Sequence, residues 1–167
     1  MQDDSELRVD FDELNRRYAE ERAKRLRDEA LGQYQPLTGK IGSYARDPWA
    51  DPEFTRDPVK RDCDVLVIGG GFGGLLAGVR LRKAGVEDIV FVDKAGDFGG
   101  TWYWNRYPGI RCDIESYVYV PLLEETGFMP SEKYARGEEI FGQCQRIARQ
   151  WHLYDSTLFQ TAVESLV

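Results

Sequence analysis

The stretch C-D-V-L-V-I-G-G-G-F-G-G-L-L-A-G-V-R-L-R-K-A-G-V-E-D-I-V-F-V-D, at residues 63–93, decides the fold. Its aliphatic start at 63–68 predicts a strand buried on both faces, and 89–92 predicts a second one. Between them lie a glycine-rich turn at 69–74 and a segment of helical apolar spacing at 75–84. Strand, turn, helix and strand in about 30 residues predict a right-handed βαβ unit with parallel strands.

The glycine turn satisfies the pattern G-x-G-x-x-G at Gly69, Gly71 and Gly74. In this pattern the first glycine allows a tight turn, the second admits a pyrophosphate, and the third lets the helix pack closely on the strand. The helix N-terminus also offers free N–H groups and partial positive charge to phosphates. We therefore predict a dinucleotide site here, against the alternative of a glycine turn that binds nothing.

Asp93 ends the second predicted strand, 24 residues after Gly69. A carboxylate at this position accepts hydrogen bonds from ribose hydroxyls and repels a 2′-phosphate. The pattern therefore predicts FAD or NAD in this site and excludes NADP from it. The glycines and Asp93 together do not choose between FAD and NAD.

The flanking sequence extends this unit in both directions. Residues 137–151 predict a further helix and 157–164 a third strand, which gives an α/β protein with a doubly wound parallel sheet. On the other side, Asp10 is placed to cap a helix over 11–31, and the Pro- and Gly-interrupted residues 33–60 predict an extended arm. We expect two regions, an N-terminal helix and arm at 1–60 and a nucleotide-binding domain at 61–167.

Composition narrows the class of protein. The 167 residues hold 22 Lys plus Arg against 29 Asp plus Glu, a net charge of −7, which argues against a nucleic-acid or anionic-membrane partner. No apolar run approaches the roughly 18 residues of a spanning helix. The three widely spaced cysteines suit neither a disulfide framework nor a metal site. We expect a cytoplasmic protein with reduced thiols and no metal.

A loop rich in aromatic residues follows the βαβ unit. Residues 96–117 read G-D-F-G-G-T-W-Y-W-N-R-Y-P-G-I-R-C-D-I-E-S-Y, and we call this segment the aromatic loop. Its composition alone favours aromatic side chains that fill a core, with Asp113 paired to Arg106 or Arg111.

Taken together, G-G-G-F-G-G, the acid after the second strand and G-G-T-W-Y-W-N-R-Y-P-G-I-R-C-D-I-E-S-Y closely resemble the Baeyer–Villiger monooxygenases. This family consists of flavoprotein oxidoreductases that depend on FAD and NADPH. The resemblance covers about residues 61–167, and the aromatic loop is its most specific part. The N-terminal arm is similar to an extension found on one subgroup. The resemblance implies an incomplete, Rossmann-like FAD-binding domain.

The family's chemistry implies an enzyme that inserts one oxygen atom of O₂ beside a ketone carbonyl. NADPH is the reductant, the reaction passes through a flavin peroxide, and the product is an ester or lactone. The expected partners are therefore a small ketone and O₂, together with the rest of the enzyme chain.

The resemblance also assigns roles to individual residues. Asp113 is the candidate catalytic residue, because its counterpart in the family orients an active-site arginine over the flavin. Arg111, Cys112 and Asp113 match the stretch that faces the nicotinamide nucleotide, and Val163 matches a contact at the adenine end. The family usually has Glu where this chain has Asp93. The full set of expected cofactor-binding residues is Gly69, Gly71, Phe72, Gly73, Gly74, Asp93, Gly100, Thr101, Trp102, Tyr103, Trp104, Arg111, Cys112, Asp113, Tyr119 and Val163.

Other parts of the family's machinery have no counterpart here. The chain contains one G-x-G-x-x-G pattern, so we expect an N-terminal piece of a longer enzyme that is inactive alone and binds FAD weakly at best. Two alternatives stay open. One is a flavin monooxygenase that oxidises heteroatoms or hydroxylates nitrogen, and the other is a non-catalytic dinucleotide-binding module.

Overall fold

The computed structural model describes residues 10–166, which cluster into two units with a division between Arg46 and Asp47. The boundary predicted between residues 60 and 61 stays a prediction. Residues 1–9 of the expected arm and residue 167 lie outside the described part.

The first unit contains helix α1 (Phe11–Ala23). Asp10 caps it as predicted, since its carboxylate accepts hydrogen bonds from the backbone N–H groups of Asp12 and Glu13, each at 3.0 Å. The predicted end at residue 31 is wrong. α1 buries none of its residues, and surface ion pairs such as Arg16–Glu20 contribute only about 0.2–0.5 kcal/mol each. Two 3₁₀ helices follow, at Ala30–Gln33 and Gly39–Ala45.

The second unit is built on a parallel sheet of the Rossmann type. Strand β1 (Val65–Ile68), helix α2 (Phe72–Lys83) and strand β2 (Ile89–Val92) form the predicted βαβ unit. In the described residues the sheet has the order β1-β2-β3, with β3 at Thr157–Leu158 and every pairing parallel. The fold class predicted from the sequence is therefore confirmed.

Four helices and a 3₁₀ turn connect β2 to β3. They are α3 (Thr101–Trp104), α4 (Ser116–Tyr119), α5 (Leu123–Thr126), α6 (Gly137–Gln150) and the 3₁₀ turn Tyr154–Ser156. The helix predicted over 137–151 is thus confirmed. The strand predicted over 157–164 is too long, because Thr157 and Leu158 pair with the last two residues of β2. The chain then turns at Gln160 (φ 51°), whose N–H donates to the carbonyl of Ala95.

The main core lies between the sheet and helices α2 and α6. Gly78 of α2 shows how closely the layers approach, because a Cβ atom on it would lie 2.6 Å from the ring of Phe91. The fully enclosed members of this cluster include Leu75, Val79, Ile89, Phe91, Phe98, Cys144, Ile147, Ala148 and Leu153. This packing fixes the start of α2 against the ends of the strands.

The opposite face of the sheet is only partly covered in the described residues. Leu66 and Ile68 of β1 remain 46% and 51% exposed, so the prediction that this strand is buried on both faces is wrong. Val65 and Val67 point to the other side and pack against the main core. The aliphatic run could not reveal this difference, because both faces of β1 are equally apolar.

No helix within residues 10–166 is long and apolar enough to cross a lipid bilayer. The same described residues contain no group of three or more His, Cys, Asp and Glu side chains able to hold a metal ion.

Candidate functional site

A groove of about 430 Å³ lies at the carboxyl ends of the parallel strands, and we call it the strand-end groove. Ligands of open α/β sheets bind outside the carboxyl ends of the strands. Its lining combines the glycine turn, the end of β2, the start of α3 and the segment after β3. The lining residues are Ile68, Gly69, Gly71, Val92, Asp93, Lys94, Gly100, Trp104, Thr161, Ala162 and Val163.

The glycine turn has the geometry that the pattern predicts. Gly69 adopts φ +98°, a conformation that favours glycine. A Cβ atom on Gly74 would lie 1.9 Å from the carbonyl oxygen of Gly69, so only glycine lets α2 begin so close to β1. Without these two glycines the turn would widen and move the helix N-terminus away from the strand.

The first turn of α2 presents free backbone donors. Among the described residues, the N–H groups of Phe72, Gly73 and Gly74 have no hydrogen-bond acceptor, whereas the N–H of Leu75 bonds to the carbonyl of Gly71 at 2.9 Å. Free N–H groups at a helix N-terminus carry partial positive charge and bind phosphate oxygens. The end of α2 is therefore suited to a pyrophosphate.

Asp93 joins the glycine turn to the end of β2. One of its carboxylate oxygens accepts a hydrogen bond from the N–H of Gly70, and the other accepts one from the N–H of Ala95 at 2.7 Å. Each oxygen keeps further lone-pair capacity, since an ionised carboxylate offers about four acceptor sites. The side chain both fixes the turn and lines the strand-end groove.

A second pair of glycines brings the aromatic loop onto the turn. The N–H of Gly99 donates to the carbonyl of Gly70 at 2.8 Å. Gly100 has φ +54°, and a Cβ atom on it would lie 2.7 Å from the Cα of Gly71. The two loops therefore meet backbone against backbone, and this wall of the groove carries no side chain.

Helix α3 divides the predicted aromatic residues between two environments. Trp104 lines the groove, with the Nζ atom of Lys94 5.2 Å from the centre of its ring. Trp102 and Tyr103 are buried behind it, and the Nε1 atom of Trp102 donates to the hydroxyl of Tyr119 at 3.2 Å. Tyr119 in turn contacts Phe72 with 5.2 Å between ring centres, while Thr101 is exposed.

The predicted nicotinamide-facing residues lie outside the strand-end groove. Arg111 donates to the carbonyl of Tyr134 at 3.0 Å and pairs with Glu132. Cys112 is only 4% exposed. Asp113 is exposed and has no hydrogen bond or ion pair within the described residues, so the alternative of an Asp113 ion pair with Arg106 or Arg111 is wrong. The cofactor roles of these residues stay predictions.

The structure adds residues that sequence reasoning missed. The groove is also lined by Lys94, Thr161 and Ala162. Lys94 could have been predicted from the sequence, because it directly follows Asp93 at the end of the second predicted strand. Arg106 lies among aromatic rings, with its Cζ atom 4.7 Å from the ring centre of Trp49 and 4.5 Å from those of Tyr103 and Phe141. Nothing local in the sequence indicates this long-range cluster.

Buried hydroxyl and thiol groups make the folded protein less stable at alkaline pH. Burial, followed by the hydrogen bond to Asp47, raises the pKa of Tyr103 from 10.0 to about 12, and burial raises the pKa of Cys144 from 9.0 to about 12. The unfolded chain therefore loses protons that the folded chain keeps. The stabilisation from each group is complete below its unfolded pKa and is lost as the pH rises towards 12.

We expect the free energy of unfolding to fall between pH 9 and 12, with a limiting slope of about 1.4 kcal/mol per pH unit for each such group. Urea unfolding at several pH values measures this slope. Tyr103→Phe should make the slope above pH 10 shallower, whereas Tyr117→Phe, at a 46% exposed position, should leave it unchanged. Equal slopes in both variants would contradict the assignment to Tyr103.

Comparison with known proteins agrees with this geometry. Residues 67–126 match the family described as NAD(P)-binding Rossmann-like domain. A Baeyer–Villiger monooxygenase of Streptomyces coelicolor is 55% identical over 153 residues, which are 92% of this chain and 25% of that protein. The chain thus spans about a quarter of the length of the curated relatives it matches.

Solved structures give the same result. A polycyclic ketone monooxygenase from Thermothelomyces thermophila superposes with a TM-score of 0.74 at 47% identity, covering 90% of this chain and 26% of that one. A structure described as OTEMO complexed with FAD and NADP superposes with a TM-score of 0.56 at 34% identity, covering 60% of this chain and 19% of that one.

The parallel sheet, the glycine turn and the groove at the strand ends define a Rossmann-like dinucleotide-binding unit. The identity along nearly the whole chain is more specific than the fold. By this similarity the chain belongs to the Baeyer–Villiger monooxygenase family.

Proposed function

We propose that this chain is the FAD-binding segment of a Baeyer–Villiger monooxygenase that converts ketones to esters or lactones with NADPH and O₂. The observation that carries the proposal is the strand-end groove, where two glycine-only backbone approaches and an uncapped helix N-terminus lie beside the carboxylate of Asp93. Two of the relatives named above are monooxygenases, and the OTEMO structure holds FAD and NADP, which supports the proposal.

The groove fits the adenosine and pyrophosphate parts of FAD. The free N–H groups of Phe72, Gly73 and Gly74 would bind the pyrophosphate oxygens, and Gly71 leaves room for their approach. Asp93 would accept hydrogen bonds from the ribose hydroxyls with its remaining lone pairs. Val163, which lines the same groove and is 41% exposed, would contact the adenine through its backbone.

Bound FAD supplies the activation of O₂ that insertion beside a ketone carbonyl requires, with NADPH as the source of electrons. The residues of this chain would bind the cofactor and orient the groups around it. Trp104 is the last residue of α3 and lies on the groove wall, and its N–H donates to the carbonyl of Gly100 at 3.1 Å. Within residues 10–166 the Asp113 carboxylate has no partner, which leaves it free to orient an arginine of a longer enzyme.

The remaining cofactor assignments follow the family. Thr101, Trp102, Tyr103 and Tyr119 would support the flavin side from α3 and α4. Arg111, Cys112 and Asp113 would face the nicotinamide nucleotide. The proposed substrates are a small ketone and O₂. The proposed cofactor domain comprises residues 61–167, and the proposed location is the cytoplasm.

Binding of FAD against FMN tests this proposal. Both molecules carry the same flavin ring, but only FAD has the adenosine part that the groove fits. We expect the 167-residue chain to bind FAD, as followed by the change in flavin fluorescence, with a dissociation constant at least tenfold below that for FMN, a difference of about 1.4 kcal/mol. We expect weak binding that desalting removes, since the described groove holds only one end of the molecule.

The proposal for this segment would be contradicted if the chain bound FAD and FMN equally well, or if it bound neither of them.

A second measurement addresses turnover. Purified chain mixed with NADPH, FAD and a panel of cyclic and open-chain ketones should show no ketone-dependent oxidation of NADPH. Amines tested against ketones on a longer enzyme that carries this segment would separate the proposed reaction from heteroatom oxidation.

A further inference from the structure

Residues 47–50, Asp-Pro-Trp-Ala, lie against the aromatic loop, and we call this segment the strap. Oδ2 of Asp47 accepts hydrogen bonds from the Tyr103 hydroxyl at 2.7 Å and from the N–H of Gly96 at 3.1 Å. The Gly96 N–H also lies 3.0 Å from the Tyr103 hydroxyl oxygen. One carboxylate oxygen of the strap therefore holds two points of the aromatic loop, and Tyr103 is 56 residues from Asp47 in sequence.

Apolar and cationic contacts extend the same interface. A Cβ atom on Gly96 would lie 3.0 Å from the Cβ of Ala50 and 2.7 Å from the Tyr103 hydroxyl, so the loop meets the strap without a side chain between them. Trp49 contacts the guanidinium of Arg106, and the Nε atom of Arg106 donates to the carbonyl of Tyr103 at 2.9 Å. Asp47 thus contacts Tyr103 directly, and Trp49 is linked to Tyr103 through Arg106.

Tyr103 transmits this contact to the strand-end groove. It is 2% exposed and lies in α3 between Trp102 and Trp104, and its ring centre is 5.1 Å from that of Trp104. The same short helix follows Gly100, which touches Gly71 of the glycine turn. Any displacement of the Tyr103 hydroxyl would therefore shift residues that line the groove.

We infer that Asp47 is a positioning residue for the cofactor site, and that the strap holds α3 and the Gly99–Gly100 turn in their binding geometry. This inference rests on the proposed FAD site. The inference assigns a role in cofactor binding to the segment that precedes β1. Neither the glycine pattern nor the aromatic loop predicts such a role for residues 47–50.

Two aspartates in the same segment provide a matched test. Asp47 and Asp51 each accept a hydrogen bond at 2.9 Å from the N–H two residues later, but only Asp47 also reaches Tyr103 and Gly96. Asp47→Ala should speed amide hydrogen exchange over residues 96–104 about tenfold and leave β1 and β2 unchanged. Asp51→Ala should match the wild-type chain in both regions.

The cofactor readout uses the same variants. Asp47→Ala should raise the FAD dissociation constant about five- to tenfold, and Asp47→Asn, whose amide oxygen still accepts the hydroxyl, should restore most of the affinity. Tyr103→Phe should also weaken FAD binding, and the double variant should lose no more than Asp47→Ala alone, since Asp47→Ala already removes the hydrogen bond to Tyr103 along with that to Gly96.

The outcomes separate the two proposals. If exchange over residues 96–104 is the same in Asp47→Ala and Asp51→Ala, the strap does not hold the loop and the inference is overturned. If exchange speeds up while FAD affinity is unchanged, the positioning role is overturned. If the wild-type chain binds no FAD, the proposed function of this segment fails, and hydrogen exchange still decides whether the strap fixes the loop.

Discussion

Gly74→Ala is expected to destabilise the folded chain by about 3 kcal/mol or more and to weaken FAD binding at least tenfold, the larger of the two effects being on folding. The added methyl group would lie 1.9 Å from the carbonyl oxygen of Gly69, which is backbone and has no rotamer to adopt. The start of α2 would have to move away from β1, and the free N–H groups of its first turn would move with it. Urea unfolding and FAD fluorescence titration measure the two effects.

Gly142→Ala is the matched control for this prediction. Gly142 also lies inside a helix, but a Cβ atom on it would meet nothing within 4 Å. We expect this variant to gain roughly 0.5–1 kcal/mol from the better helix propensity of alanine. If Gly74→Ala were as stable as the wild type, the close crossing of β1 and α2 would be wrong.

Asp113→Ala, made in a longer enzyme that carries this segment, is expected to lower ester formation about 10²–10³-fold while the FAD content stays close to wild type. Asp113 is exposed and contributes no hydrogen bond or ion pair to the described fold, so its loss costs little stability. An acid that acts by orienting an arginine should instead affect the rate of oxygen insertion. Product formation per bound flavin, measured by chromatography and absorbance, separates the two effects.

Glu115→Ala provides the control for loss of a nearby negative charge. Glu115 is exposed like Asp113, and it pairs with Lys133 at 2.8 Å on the surface. This variant should retain its rate within about twofold, since surface ion pairs contribute little. Loss of FAD together with activity in Asp113→Ala would assign Asp113 a structural role in place of the predicted one.

The helices and strands that were predicted correctly are those marked by local sequence patterns. The apolar spacing of α6 and the aliphatic run of β2 place these elements within one or two residues, since both bury side chains on the faces that the spacing marks. The end of α1 was not predictable from spacing, because the helix buries nothing. The length of β3 depends on where β2 ends, which is a property of the paired strand.

The candidate site shows the same division. Gly69, Gly71, Gly74 and Asp93 follow from a local pattern, and the structure places all four around the turn. Tyr103 was expected along the flavin, yet its side chain is turned inward to Asp47. That contact joins residues 56 positions apart, and no periodicity in the chain connects them.

The contact between Gly70 and Asp93 couples the two positions physically. A Cβ atom on Gly70 would lie 3.1 Å from a carboxylate oxygen of Asp93 and 3.0 Å from the ring of Phe98. A mutation that adds a methyl group at position 70 therefore pushes against the acid, and one that lengthens the acid changes its hold on the turn. Substitutions at the two positions are therefore expected to be non-additive, since residues in direct contact couple their effects.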